Sequence, residues 1–234
     1  MKDIAKIKKL NNYIYMSFFL AFLGLAGTTL LTLLGSLSTY NEKQKYLRAG
    51  LVSETGVNII AGFTYYYLIN YLYQDGMPLE NVMPIRYLDW LITTPFLILS
   101  FIWYSGYQVN KESGDPGLIK VDYTPLSYII PLNFCMLIFG YLGESKILDK
   151  NTAFAGGIGC YSAMFYLIFD KYVKGKPNAI KEIYYPFLAI WLLYGFAYYL
   201  PIKSKNVTYN ILDLIAKSGF GVFLWINSVN DLDN

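Results

Sequence analysis

The sequence predicts an all-α membrane protein, a bundle of seven transmembrane helices. Three observations carry that prediction. Of 234 residues, 55% are hydrophobic and only 15% charged, against about 25% charged in soluble domains. Seven apolar runs approach the roughly 20 residues needed to cross a bilayer. The polar stretches between them are short, so no soluble domain fits, and residues 1–234 are expected to form one seven-helix unit.

The runs follow in order. The first, 13–37, comes after the basic start MKDIAKIKKL. That start resembles a signal peptide, but the run is too long for an h-region and serves as the first span. The second, 46–73, follows NEKQK and contains Glu54 and Asn58. The third, 82–107, includes RYLDWLITTP and is followed by NKESGDPG. The fourth, 123–142, and fifth, 152–173, flank GESKILDKN and carry Cys135 and Cys160, expected as small, buried, unpaired side chains. The sixth, 183–200, follows KGKPN. The seventh, 207–229, follows PIKSKNVTYN, read as a loop with lysines and no carboxylate. Asn206-Val207-Thr208 is a glycosylation sequon by pattern, taken as a coincidence of a short loop.

Composition excludes several classes. There is no histidine, so histidine metal sites and bases are absent, and no metal is expected. The net charge of +3 is scattered over loops at both ends, with no stripe for nucleic acid. That even spread leaves the charge-based orientation rule undecided.

Ionisable residues inside a membrane are costly and mark function by default. They are Glu54, Arg86, Asp89, Asp213 and Lys217. At 100° per residue, Arg86 lies about 60°, Thr93 about 40° and Ser100 about 20° around the helix from Asp89, so the four share a face. That polar stripe must line the bundle interior. In LDLIAKSGFG, Asp213 and Lys217 lie one turn apart on one face. Two mutually neutralising ion pairs are the plain alternative, but buried pairs seldom repay their desolvation. Burial disfavours the ammonium form, and a neutral amine attacks an aldehyde to form a Schiff base. The protonated imine then needs carboxylates, which Asp89 and Asp213 supply, with Arg86 beside them.

RYLDWLITTP and LDLIAKSGFG resemble the third- and seventh-helix signatures of microbial (type 1) rhodopsins, and the resemblance covers the whole chain in span count and loop length. It implies all-trans retinal on Lys217, Asp89 as primary proton acceptor, Asp213 as second counterion and Arg86 as a gate towards an extracellular side where the N-terminus also lies. The third-helix motif reads Asp89, Thr93, Ser100. Aspartate first resembles a proton pump. Ser100 stands where outward pumps commonly carry a carboxylate donor. The Asp–Thr–Ser version resembles rhodopsins of giant viruses of marine protists. Trp90, Thr94, Leu97, Met136, Gly140, Met164, Trp191 and Tyr194 match the retinal pocket, with Asn133 beside Thr94 in place of an aspartate. Gly157, Gly195 and Tyr198 depart from the usual Trp, Pro and Trp, which alters the ring cleft.

The leading expectation is a light-driven outward proton pump, a transporter rather than an enzyme. Reprotonation would then draw on bulk protons near Ser100 and Thr55, or on a carboxylate such as Glu42 or Glu54. Light-gated cation channel and photosensory receptor are the alternatives. The channel reading rests on Glu54 and Asn58, unless Glu54 simply snorkels to the interface. The protein is expected to be integral and multi-pass in a plasma or internal host membrane, with lipid and protons as partners, and to form a trimer or pentamer.

Overall fold

The computed structural model describes residues 2–74, 78–113 and 119–232. Seven helices run up and down through it: α1 Lys2–Ser36, α2 Lys45–Gln74, α3 Val82–Ser113, α4 Leu126–Glu144, α5 Lys150–Tyr172, α6 Asn178–Ala197 and α7, residues 202–232. No strand occurs among the described residues. Residues 114–118 of the NKESGDPG stretch lie outside them. The end where α1 begins is called here the amino end, and the end where α7 finishes the carboxyl end.

All seven predicted spans are helical. By length and composition, five helices are apolar enough to cross a membrane: α1, α3, α4, α5 and α7. The other two carry more polar atoms inside the same helical pattern. α2 contains Lys45, Arg48, Glu54 and Asn58, and α6 is rich in tyrosine.

The segment PIKSKNVTYN is not a loop. Pro201, with an extended ψ of 148°, is the last residue before α7, and the helix starts at Ile202. Asn206 is therefore fully buried, and its sequon is inaccessible. Within α7, residues Leu214–Gly219 form a π-helical turn. Such turns recur at functional sites, and this one lies between the aspartate and the end of the lysine segment.

The packing is that of a membrane protein turned partly inside out. Leu20, Leu34, Phe63, Leu88 and Tyr166 are exposed on the outer surface, while Thr32, Asn58, Arg86, Thr93 and Ser100 are buried. Lipid accepts the former, and the interior satisfies the latter. The cysteines follow the lipid-facing rule. Both are unpaired, but Cys135 is exposed and Cys160 half-buried, not buried as expected. A thiol costs little against lipid, so nothing drives it inwards.

Candidate functional site

Lys217 is buried in the middle of α7, 1% exposed. Its Nζ pairs with Asp89 Oδ2 from α3 and lies 3.8 Å from Asp213 Oδ1, four residues back on its own helix. The two predicted charge motifs therefore meet at one point.

The two carboxylates are held differently. Asp213 accepts from Tyr65 Oη at 2.8 Å, Tyr194 Oη at 2.8 Å and Trp90 Nε1 at 3.1 Å. Arg86 Nη1 adds an ion pair at 3.5 Å. Among the described residues, the Asp89 carboxylate bonds Lys217 and accepts a long bond from Thr64 Oγ1 at 3.5 Å. Thr93 does not reach the Asp89 carboxylate, because its hydroxyl donates to the Asp89 carbonyl at 2.8 Å. Four-residue back-bonding of this kind is the default for a helical threonine.

Arg86 faces the amino end. It donates to Tyr65 Oη at 3.0 Å and to Asn210 Oδ1, and reaches Asn206 Oδ1 at 3.4 Å. The rings of Phe18 and Tyr65 flank its guanidinium at 5.0 and 5.4 Å. A fully buried arginine is tolerable only when its donors are matched in this way. Nearer the surface, Lys205 bonds Glu144 at 2.6 Å, tying α7 to α4.

Towards the carboxyl end, Ser218 Oγ donates to Asn58 Oδ1 at 3.3 Å, and Asn58 Nδ2 donates to the Glu54 carbonyl at 2.8 Å. Glu54 is 0% exposed and does not snorkel. The Glu54 carboxyl and the Ser100 hydroxyl are buried beside one another, and no other described residue hydrogen-bonds to either side chain. Gly50, one turn before Glu54 on α2, faces the Ser100 carbonyl, so this stretch of α2 runs alongside Ser100. Thr55 points instead to α1, donating to Thr32 at 2.9 Å.

An aromatic cavity opens at Lys217 and Asp213. Its walls include Trp90, Thr94, Leu97, Met136, Gly140, Trp191, Tyr194 and Tyr198, eight of the ten predicted pocket residues. One expected wall residue lies elsewhere. Met164 is fully buried in the apolar cluster with Phe165 and Trp191, and does not line the cavity. Tyr161, three residues earlier on α5, takes the wall instead. Asn133 pairs with Thr94 as expected, donating to its hydroxyl at 2.8 Å, and stands one layer behind the wall. Tyr161, Phe154 and Tyr209 are wall residues that no motif marked, Tyr87 is one that RYLDWLITTP contains without an assigned role, and Gly157 and Gly195 line the cavity as well. A Cβ at Gly140 would meet the Tyr87 hydroxyl at 2.6 Å, so that glycine leaves room for the tyrosine.

A buried amine faces two carboxylates at the mouth of an aromatic slot inside a seven-helix bundle, the architecture of an integral multi-pass membrane protein. The residues present fit retinal: an amine to attach it, paired anions for the resulting cation, and aromatic and apolar walls. The chain belongs to the microbial rhodopsins, since the family model for "Bacteriorhodopsin-like protein" matches residues 15–230. It is 25% identical over 215 residues to the green-light absorbing proteorhodopsin of Gamma-proteobacterium EBAC31A08, covering 82% of this chain and 80% of that one. It is likewise 25% identical over 219 residues to sensory rhodopsin-2 of Natronomonas pharaonis, covering 84% and 81%. Among solved structures, viral rhodopsin OLPVRII superposes with a TM-score of 0.82 at 28% identity, covering 93% of this chain and 98% of that one. The proton pumping rhodopsin AR2 of Acetabularia acetabulum superposes at 0.73 with 18% identity, covering 94% and 96%, a likeness of fold alone.

Proposed function

We propose that the protein is a light-driven outward proton pump carrying all-trans retinal on Lys217. The observation that carries this reading is the unequal support of the two aspartates around one nitrogen. Asp213 is an anion already solvated by three donors and an arginine. Asp89 has an open coordination shell beside the same nitrogen. A proton leaving Lys217 Nζ is therefore taken by Asp89. Retinal supplies light absorption and the isomerisation that reorients the nitrogen.

The remaining roles belong to the chain. Arg86, with Tyr65, Asn206 and Asn210, carries the exit towards the amino end, read as extracellular. Glu54 returns a proton to Lys217 from the carboxyl end, because Ser100 has none to give near neutrality. Its support is full burial beside Ser100, on the carboxyl-end side of Lys217. Thr93 holds the α3 backbone beside Asp89. Residues 1–234 act as one retinal-binding unit, assembled as a trimer or pentamer in a plasma or internal host membrane.

A second reading, a light-gated cation channel, is favoured by the buried polar seam of Thr32, Thr55, Asn58 and Ser218 between α1, α2 and α7. Whole-cell recording under illumination separates the two. A pump drives outward current with no ion gradient, and its current keeps its sign when the gradient is inverted. A current that vanishes without a gradient and reverses with it identifies a channel.

A further inference from the structure

Outside the proton path, a groove runs along the lipid-facing side of α2 and α3. Its mouth, at the carboxyl end, is formed by Lys45 and Arg48, and its walls by Trp103 and Phe96. Gly56 and Ile60 lie at its inner end. The groove is open space: a Cβ on Gly56 would meet nothing within 4 Å. Ser53 Oγ donates to the Phe96 carbonyl at 3.2 Å, so the two helices that form the floor are fastened together.

Its dimensions suit one leaflet. From Arg48 to Ile60 the α2 axis advances about 18 Å, and half of a bilayer's hydrocarbon core is about 15 Å. Its charge is equally specific. Lys45 is paired with Glu42 at 3.6 Å. Arg48 is exposed and has no carboxylate partner among the described residues, and its Nε donates to the Ser36 carbonyl at 3.2 Å. One unbalanced guanidinium therefore sits at headgroup depth over an apolar furrow. Trp103, donating to Tyr123 at 2.9 Å, marks the same interfacial level.

We infer that the α2–α3 groove binds one anionic phospholipid, its phosphate on Arg48 and one acyl chain along Val52, Gly56 and Phe96. Guanidinium and phosphate form charge-assisted, bidentate hydrogen bonds, and basic pockets between spanning helices take anionic headgroups. A second copy of this chain is the competing occupant. It would have to bring a carboxylate to Arg48 and an apolar ridge to the furrow.

Native mass spectrometry of the delipidated protein, titrated with phosphatidylglycerol or phosphatidylcholine, tests the inference. One phosphatidylglycerol per chain should bind about tenfold more tightly than phosphatidylcholine, the scale of one charged hydrogen bond. Arg48→Gln should abolish that preference, and Gly56→Leu should displace both lipids. Equal binding of the two lipids by the wild type overturns the proposal without any variant. So does unchanged binding in both variants. If Gly56→Leu dissociates an oligomer and leaves lipid binding intact, the groove is an interface between copies and the inference fails.

Discussion

Asp89 and Asp213 flank the same Lys217 nitrogen, and only Asp213 is saturated with protein donors. In the proposed pump, these different surroundings give Asp213 the task of counterion and Asp89 that of proton acceptor.

Asp89→Asn should move the visible absorption to the red and stop net transport, because the acceptor is lost while Asp213 remains as counter-anion. Tyr65→Phe and Tyr194→Phe probe the other side. Each removes one neutral donor from Asp213 and should weaken its anion by about 1 kcal/mol, so that Asp213 begins to compete for the proton and the yield of transport per flash falls. Transient absorption with a pH-indicator dye measures both. Wild-type transport in Asp89→Asn would reassign the acceptor.

Glu54 gives a prediction with a definite pH sign. A loaded internal donor makes the recovery of the dark absorbance nearly independent of pH. In Glu54→Gln, the Lys217 nitrogen must take its proton from bulk. Its recovery should slow as pH rises, by about tenfold per unit for a step first-order in protons. Flash photolysis of wild type and variant over about pH 6 to 9 decides. Ser100→Asp in the Glu54→Gln background should restore a flat profile. A wild type as steep as the variant would remove Glu54 from the path.

Gly140 and Tyr87 give a packing prediction. Gly140→Ala drives a methyl into the Tyr87 hydroxyl and should cost about 1–3 kcal/mol, as overpacking does. Thermal loss of the visible band measures it. Gly140→Ala combined with Tyr87→Phe should recover most of the loss. An unchanged melting temperature in the single variant would show that the wall yields freely.

The retinal anchor has the simplest test. Lys217→Ala protein given all-trans retinal should develop no red-shifted band. A band like the wild type's would place the attachment elsewhere.

Much of this was legible in the sequence because charge inside an apolar run is conspicuous. Arg86, Asp89, Asp213 and Lys217 announce themselves, and helical spacing puts each pair on one face. What was illegible is what other helices contribute. Tyr65, Thr64, Asn206 and Asn210 complete the site from α2 and α7. Nothing distinguishes Tyr65 among 24 tyrosines until α2 is docked against α3 and α7. Asn206 and Asn210 were hidden in a stretch polar enough to pass for a loop. The π-helical turn at Leu214–Gly219 has no signature in residue types. Met164 matches the pocket by resemblance, but Tyr161, about 60° around α5, is the residue on the cavity wall.

The central claim is transport of protons outwards against no gradient. Its most direct measurement is the pH of a lightly buffered suspension of illuminated cells expressing the protein, with and without a protonophore. Illumination should acidify the medium, and the protonophore and Asp89→Asn should each abolish the change. Light-induced alkalinisation, or no change until an ion gradient is imposed, would contradict the claim.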